Sequence, residues 1–381
     1  MIDVSLDRDR LVGLLSMRAV GPAPFTEADW QRLVDLAVKH RLAPFLHAKL
    51  LERGLAPPPA AADQLQRAHL VNAVRNTGLL HVLDNILRAC HDGGVAVTLL
   101  KGVHFAEAVY DDIALRHIGD VDLWVSRGQL EAARAVMRSL GYVSRSRTKR
   151  PQALQDALTG ETQLFKANAP MVELHWNIFA GEWFRHTARI DEQLVWQRTE
   201  SIEGSTARRL SHEDAIIHLC LHLAINHQMS EAGLRTLVDL DVARRTWTID
   251  WDVVVQRARA WRVSCALWLV LQRLVEIFGD PSGEIPVVEL APSRLRQTVF
   301  TQLVSARFLV EGAKLTGGPG RFLFMLAAVD RPTDAGRLLW RGFFPDRLWL
   351  TLRYELQNAP AWRVWLQRLW HPVRVAFRRD I

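Results

Sequence analysis

Two acids one residue apart, Asp120-Val121-Asp122, stand in a run whose apolar members Val121, Leu123 and Val125 alternate. On a strand, side chains two apart share a face, so the two carboxylates would project together. Carboxylates held side by side repel each other, and a cation between them removes that cost; hard oxygen ligands suit Mg²⁺. The plainer alternative is a solvated strand edge, because Asp-x-Asp arises often by chance. A third carboxylate follows the same logic. In Val172-Glu173-Leu174-His175-Trp176, Glu173 and His175 project from one face and Val172, Leu174 and Trp176 from the other. A glutamate on a neighbouring strand would complete a three-carboxylate cage for two metals that activate an attacking oxygen and hold a triphosphate. The plainer alternatives are a surface salt bridge for Glu173 and a packing role for His175.

Upstream, Leu99-Leu100-Lys101-Gly102 ends one apolar run and opens a helix. Glycine there lets backbone amides approach a phosphate, the helix N-terminus favours anions, and Lys101 adds a point charge. Arg116, four residues before Asp120, would sit near the same pocket and could grip a phosphate bidentately. Its alternative is a surface ion pair with Asp111 or Asp112.

These residues need strands and helices to hold them. Val95–Leu100 is a short apolar and β-branched run, read as a buried strand, and Val121–Val125 is a second. Gln163–Ala167 and Met171–Trp176 read as two more strands, joined by a turn at Asn168-Ala169-Pro170. Ser126 to Gln129 is a capping-box pattern for a helix reaching Leu140. Around this small α+β unit the chain is helical. Thr26-Glu27-Ala28-Asp29 caps a helix carrying Trp30, Leu33, Val34 and Ala37 on one face. Pro57-Pro58-Pro59 breaks the chain, and a long helix runs from about Asp63 to Cys90. Helical periodicity returns after the capping pattern at Ser211. Gly317-Gly318-Pro319-Gly320 reads as a flexible joint. The expected regions are 1–92 (helical), 93–205 (α+β core), 206–320 (helical) and 321–381 (a basic, Trp-rich helical tail).

The Lys101-Gly102 pair, the block Arg116-His117-Ile118-Gly119-Asp120-Val121-Asp122, and Glu173-Leu174-His175 occur in that order. With Leu219-Cys220-Leu221-His222, His227 and Leu234-Arg235-Thr236-Leu237-Val238-Asp239, the chain resembles the uncharacterised bacterial nucleotidyltransferases of the DNA polymerase β superfamily. The likeness covers most of the chain, including the helical N-terminal segment around Leu42-Ala43-Pro44. It implies a small mixed-sheet polymerase β-like core flanked by helical regions. It also implies Mg²⁺ (or Mn²⁺) on Asp120, Asp122 and Glu173, with Lys101 and Gly102 on the phosphates of an NTP, ATP being the expected one. Arg116 and His175 complete the implied nucleotide site. The implied reaction is in-line attack of an acceptor hydroxyl on the α-phosphate, releasing pyrophosphate. One departure stands out: the superfamily's glycine is usually followed by a small hydroxyl residue, and here Val103 follows Gly102.

Composition bounds the rest. The 381 residues are 49% hydrophobic and 23% charged, values of a globular chain rather than a disordered one. Cys90, Cys220 and Cys265 are too far apart for a CxxC site and fit a reducing, cytoplasmic setting. The opening decapeptide lacks an apolar h-region, so no signal peptide is expected. The net charge of +7 is unevenly spread. Residues 321–381 hold 11 Arg against five acids, which leaves a single surplus positive charge for the first 320 residues. That near-neutrality counts against nucleic acid as a partner. A small-molecule, sugar or peptide hydroxyl is the expected acceptor. A non-catalytic nucleotide-binding or interaction protein that retains the fold is the alternative.

Three features stay apart from this reading. His218 and His222 lie one helical turn apart, with His227 nearby; helix packing is favoured over acceptor binding or zinc. Arg235 and Asp239 are four apart and would pair within one helix. In the tail, Trp362, Trp365, Leu366 and Leu369 form a helical stripe among arginines, and Pro372 should kink or split it. Such a helix suits an anionic membrane or a protein partner. Packing of the stripe on the helical domain, with the arginines wet, is the favoured expectation.

Overall fold

The computed structural model describes residues 4–16, 25–144, 158, 160–179, 181, 184–230, 233–315 and 318–377. Seven strands form one mixed sheet: β1 (Thr98–Leu100), β2 (Val121–Trp124), β3 (Val143–Ser144), β4 (Glu161–Phe165), β5 (Val172–His175), β6 (Glu200–Ser201) and β7 (Arg208–Arg209). Their order is β3-β4-β5-β2-β1-β7-β6. The β2–β5 and β1–β7 pairs are parallel, and the other four are antiparallel. The α+β expectation holds, and the four longer strands lie where alternation puts them, with ends shifted by up to three residues. The three two-residue strands are too short to carry a period and were not expected.

The sheet is covered on both faces, which is why β1, β2 and β5 are buried along their whole lengths. Leu99, Val121, Leu123, Val172 and Leu174 point one way. They join Leu79, Leu83, Ile86 and Cys90 of helix Pro59–Asp92 and Ala133 and Met137 of helix Leu130–Ser139 in one apolar cluster. Leu100 and Trp124 point the other way, into a larger cluster built from the helices on both sides of the sheet region. Asp122, Glu173 and His175 share that second face by alternation. The chemistry therefore sits beneath helices, not on a wet edge.

Local signals behave as their physics requires, with instructive exceptions. Thr26 and Asp29 form the reciprocal cap, with Thr26 N donating to Asp29 at 2.8 Å and Asp29 N to Thr26 Oγ1 at 3.2 Å. Pro59 begins helix Pro59–Asp92 instead of only breaking the chain, since its missing N–H costs nothing in a first turn. Ser126 caps nothing; Gln129 instead reaches back, donating to Gly94 O at 2.8 Å and accepting from Ala96 N. Residues 318–320 are the first turn of helix Gly318–Ala328, so the glycine-rich segment is not simply a joint; Gly317 lies outside the described residues.

The C-terminal segment departs further from expectation. Helix Ala361–Phe377 runs through Pro372 without a break. It docks through Val364 and His371, and Tyr354 Oη bonds His371 Nδ1 at 2.8 Å. Trp362, Trp365 and Trp370 remain 61%, 60% and 59% exposed, so the aromatic stripe does not pack on the helical domain. The helix docks by its opposite face. Arg378 and Arg379 lie outside the described residues. No helix among the described residues is long and apolar enough to cross a membrane.

Candidate functional site

Strand pairing brings the sequence-marked residues together. In the parallel β2–β5 register Asp122 lies opposite Glu173, and Trp124 opposite His175. Across the antiparallel β1–β2 pair, Leu100 faces Asp122, so Lys101 leaves the strand end beside the acid. Lys101 opens helix Lys101–Ala108 with φ 46°, a left-handed turn that a lysine adopts only when its surroundings reward it. The reward is electrostatic: Lys101 Nζ lies 2.6 Å from Asp122 Oδ1 and 3.5 Å from Glu173 Oε2. His175 Nε2 is 3.0 Å from the same Asp122 oxygen.

Two residues that the sequence reading missed complete the site. β4 pairs with β5 so that Glu161 lies opposite His175 and Gln163 opposite Glu173. Gln163 Nε2 donates to Glu173 Oε1 at 2.5 Å, and Glu161 Oε2 lies 3.3 Å from His175 Nδ1. Glu161 acts on the ring by charge, and Nδ1 itself makes no hydrogen bond among the described residues. Glu161 lies before the strand expected at Gln163–Ala167, and period alone did not say which strand would lie beside it.

Ligand-capable atoms of Asp122, Glu173 and His175 come within 4.8 Å of one another, and all three residues are buried. Asp120, expected in this cage, stands one residue before β2 and is not among those three. Its surroundings still belong to the site. Burial, Asp122 and Glu173 push its carboxyl up to about 6. Burial also raises Asp122, against the pull of Lys101. Burial opposes the Lys101 charge, but Asp122 and Glu173 outweigh it and hold the ammonium protonated. Burial first, then the Lys101 charge, drives His175 down to about 4, so its ring is neutral and able to act as a ligand. Two acids and a neutral imidazole, dry and converging, suit a divalent cation that accepts oxygen and nitrogen donors. Lys101 bonds the same oxygens, so such an ion would have to displace it.

A family model described as an uncharacterised nucleotidyltransferase matches residues 26–279. The chain belongs to that nucleotidyltransferase family. The matched span runs from the capped N-terminal helix through the whole sheet to the helices over the site, and stops before the C-terminal segment. No curated protein matches the chain.

In this nucleotidyltransferase Arg116 has a different partner from those expected. It is buried, and its Nε and Nη2 donate to the two oxygens of Asp239 at 3.0 and 2.8 Å. Nη1 donates to Gly102 O at 3.0 Å. The guanidinium therefore neither pairs with Asp111 or Asp112 nor turns a free fork toward a phosphate. Asp239, expected to pair with Arg235 on its own helix, is taken by Arg116 and by Tyr110 Oη at 2.7 Å. The reason is geometric: a two-point guanidinium–carboxylate pair beats a single i,i+4 contact along one helix.

Gly102 is explained by the same contact. A Cβ there would lie 2.9 Å from Arg116 Nη1, so the glycine makes room for the guanidinium. Gly102→Ala is expected to lower stability by about 1–3 kcal/mol, the usual cost of overpacking. A urea midpoint equal to wild type would contradict that role.

The histidines of the covering helix also have their places. His218 is buried, bonds Ile178 O through Nε2 at 3.1 Å and packs on Phe179. Packing is thus its role, as expected. His222 opens a π-helical turn, His222–Asn226, and its ring meets His227 edge-on at 4.6 Å.

Proposed function

We propose that this nucleotidyltransferase moves a nucleoside monophosphate from an NTP, ATP foremost, to a hydroxyl of a small-molecule, sugar or peptide acceptor. The observation that carries the reading is the buried convergence of Asp122, Glu173 and His175, whose ligand atoms lie within 4.8 Å of one another. These residues would hold Mg²⁺ or Mn²⁺, with Asp120, one residue before β2, as a further carboxylate. The metal would supply charge neutralisation at the α-phosphate and a more acidic acceptor hydroxyl. The chain's own part is to fix the oxygens in strand register, to keep them dry, and to hold His175 Nε2 against Asp122. Incubating the protein with Mg²⁺, each labelled NTP and a panel of hydroxyl acceptors should give nucleotidylated product and one pyrophosphate per transfer. Hydrolysis to nucleoside monophosphate alone would contradict the reading.

One observation favours a second reading, a nucleotide-binding protein without turnover: Lys101 Nζ is bonded within the carboxylate pair. A fixed ammonium would serve as an internal counter-ion in place of a metal. The two readings separate on Lys101→Met. If the cage takes a divalent ion, this variant loses stability in chelator because two buried acids lose their cation. Mn²⁺ at about a hundred times its Kd should then raise the melting temperature by roughly 3 °C. No Mn²⁺-dependent rise in either protein would favour the second reading.

A further inference from the structure

The segment that leads into the site, His117-Ile118-Gly119-Asp120, is met by arginines from two helical regions, and a third arginine, Arg235, acts on it by charge. Arg41 lies in the turn between helices Glu27–Lys39 and Ala43–Glu52, in a left-handed conformation with φ 58°. Its Nη1 lies 3.5 Å from where a Cβ on Gly119 would be, so the glycine leaves that approach open. Arg75, from helix Pro59–Asp92, donates to Gly119 O at 3.4 Å and lies 2.9 Å from His117 Nδ1. Arg235, from helix Gly233–Thr246, has a buried Nη1 with no hydrogen-bond partner. None of these three arginines holds a described salt bridge to an acid, while Arg116 beside them is already neutralised by Asp239.

Converging guanidinium groups repel one another, and folding gathers them at such a cost only where an anion shares them. The mutual effect is legible in the neighbouring groups. Burial and then Arg116 lower Arg235 to about 10, and burial with Arg75, Arg41 and Arg235 drives His117 down to about 3. His117 is therefore neutral and adds no charge of its own. Asp120 acts on Arg75 and Arg235 and supplies one negative charge against three positive ones, Asp239 being already paired with Arg116. It also sits two residues along the chain from Asp122, so an anion at this mouth adjoins the carboxylate cage.

We propose that Arg41, Arg75 and Arg235 form a polyphosphate-binding mouth beside Asp120 that receives the β- and γ-phosphates of the nucleotide. Arginine suits the task because its planar fork takes two phosphate oxygens at once and stays charged when partly buried. With the terminal phosphates on these residues, the α-phosphate lies toward Asp122 and Glu173, and the acceptor approaches from the side away from the arginines. The assignment to a nucleotide rests on the nucleotidyl-transfer reading, but the anion site itself does not.

Inorganic tripolyphosphate, titrated calorimetrically into the full chain in the presence of a chelator, tests the mouth apart from any metal or turnover. Wild type should bind it, with affinity falling as salt rises. Arg41→Gln combined with Arg75→Gln, two exposed positions whose loss leaves the core intact, should weaken binding by about tenfold or more. Arg235→Lys, which keeps the charge but loses the fork, should fall between. Arg307→Gln, on an arginine paired with Glu311 elsewhere, should change nothing. Asp122→Asn should cut any transfer by about 10³-fold or more yet keep tripolyphosphate binding, so failure of the transfer reading leaves the site standing. Absence of binding to wild type would overturn the proposal, as would undiminished binding to the Arg41/Arg75 variant or equal loss in Arg307→Gln.

Discussion

Asp122→Asn should cut nucleotidyl transfer by about 10³-fold or more while leaving the protein folded. Placing charge at a reacting phosphate is worth several kcal/mol, and each 1.36 kcal/mol is about a factor of ten in rate. Asp122 is the hub of the site. Lys101, at 2.6 Å, and His175, at 3.0 Å, both meet its Oδ1, and in register it lies opposite Glu173. Asparagine keeps the shape and an acceptor oxygen, so Lys101 retains a partner, but the charge that would hold a cation is gone. Glu173→Gln should act in the same direction, since Gln163 can still hold the side chain in place. The measurement is pyrophosphate release with Mg²⁺ and a productive NTP–acceptor pair, alongside circular dichroism. Transfer within tenfold of wild type in a folded Asp122→Asn protein would remove Asp122 from the chemistry.

The second large effect falls on stability. Asp239→Asn should cost about 3–5 kcal/mol, because it leaves a buried guanidinium without its counter-charge. Asp239 is fully buried, Arg116 is 6% exposed, and three hydrogen bonds converge on the carboxylate from Arg116 and Tyr110. The urea midpoint should fall with little change in slope. Arg116→Met should cost a similar amount. Combining Arg116→Met with Asp239→Leu should be less damaging than the sum of the two single changes, since a paired apolar replacement strands no charge. Strict additivity would show that the pair is not coupled. The pair also ties the segment before Asp120 to helix Gly233–Thr246, which carries Arg235. Its loss should therefore weaken tripolyphosphate binding in whatever protein remains folded.

Much of the cage was written locally. Asp120 and Asp122, and Glu173 and His175, are two apart in short apolar runs, and the two-residue period of a strand is enough to put each pair on one face. The Lys101-Gly102 step out of a buried strand is equally local. Period alone does not say which strand lies beside which. Glu161 and Gln163 therefore stayed invisible until β4 was seen against β5. The partner of Arg116 lies 123 residues away, at Asp239, and only tertiary packing could choose it over the nearby Asp111 and Asp112. Arg41 and Arg75 were hidden for the same reason, each being one more charged residue in a helical region. In the tail the stripe of Trp362, Trp365 and Leu366 was legible as an amphipathic face. Periodicity identifies a face without saying whether it turns inward, and here Val364 and His371 make the contact instead.

Mn²⁺ binding tests the account most directly, because it needs no knowledge of the acceptor. Electron paramagnetic resonance can count bound Mn²⁺ in the presence of a nonhydrolysable NTP, for wild type and for Asp122→Asn and Glu173→Gln. Tight nucleotide-dependent Mn²⁺ binding to wild type, weakened at least about tenfold in both variants by loss of a charged ligand, is the expected result. Equal Mn²⁺ binding by all three proteins, or none by wild type, would contradict a metal-dependent nucleotidyl-transfer centre at these residues.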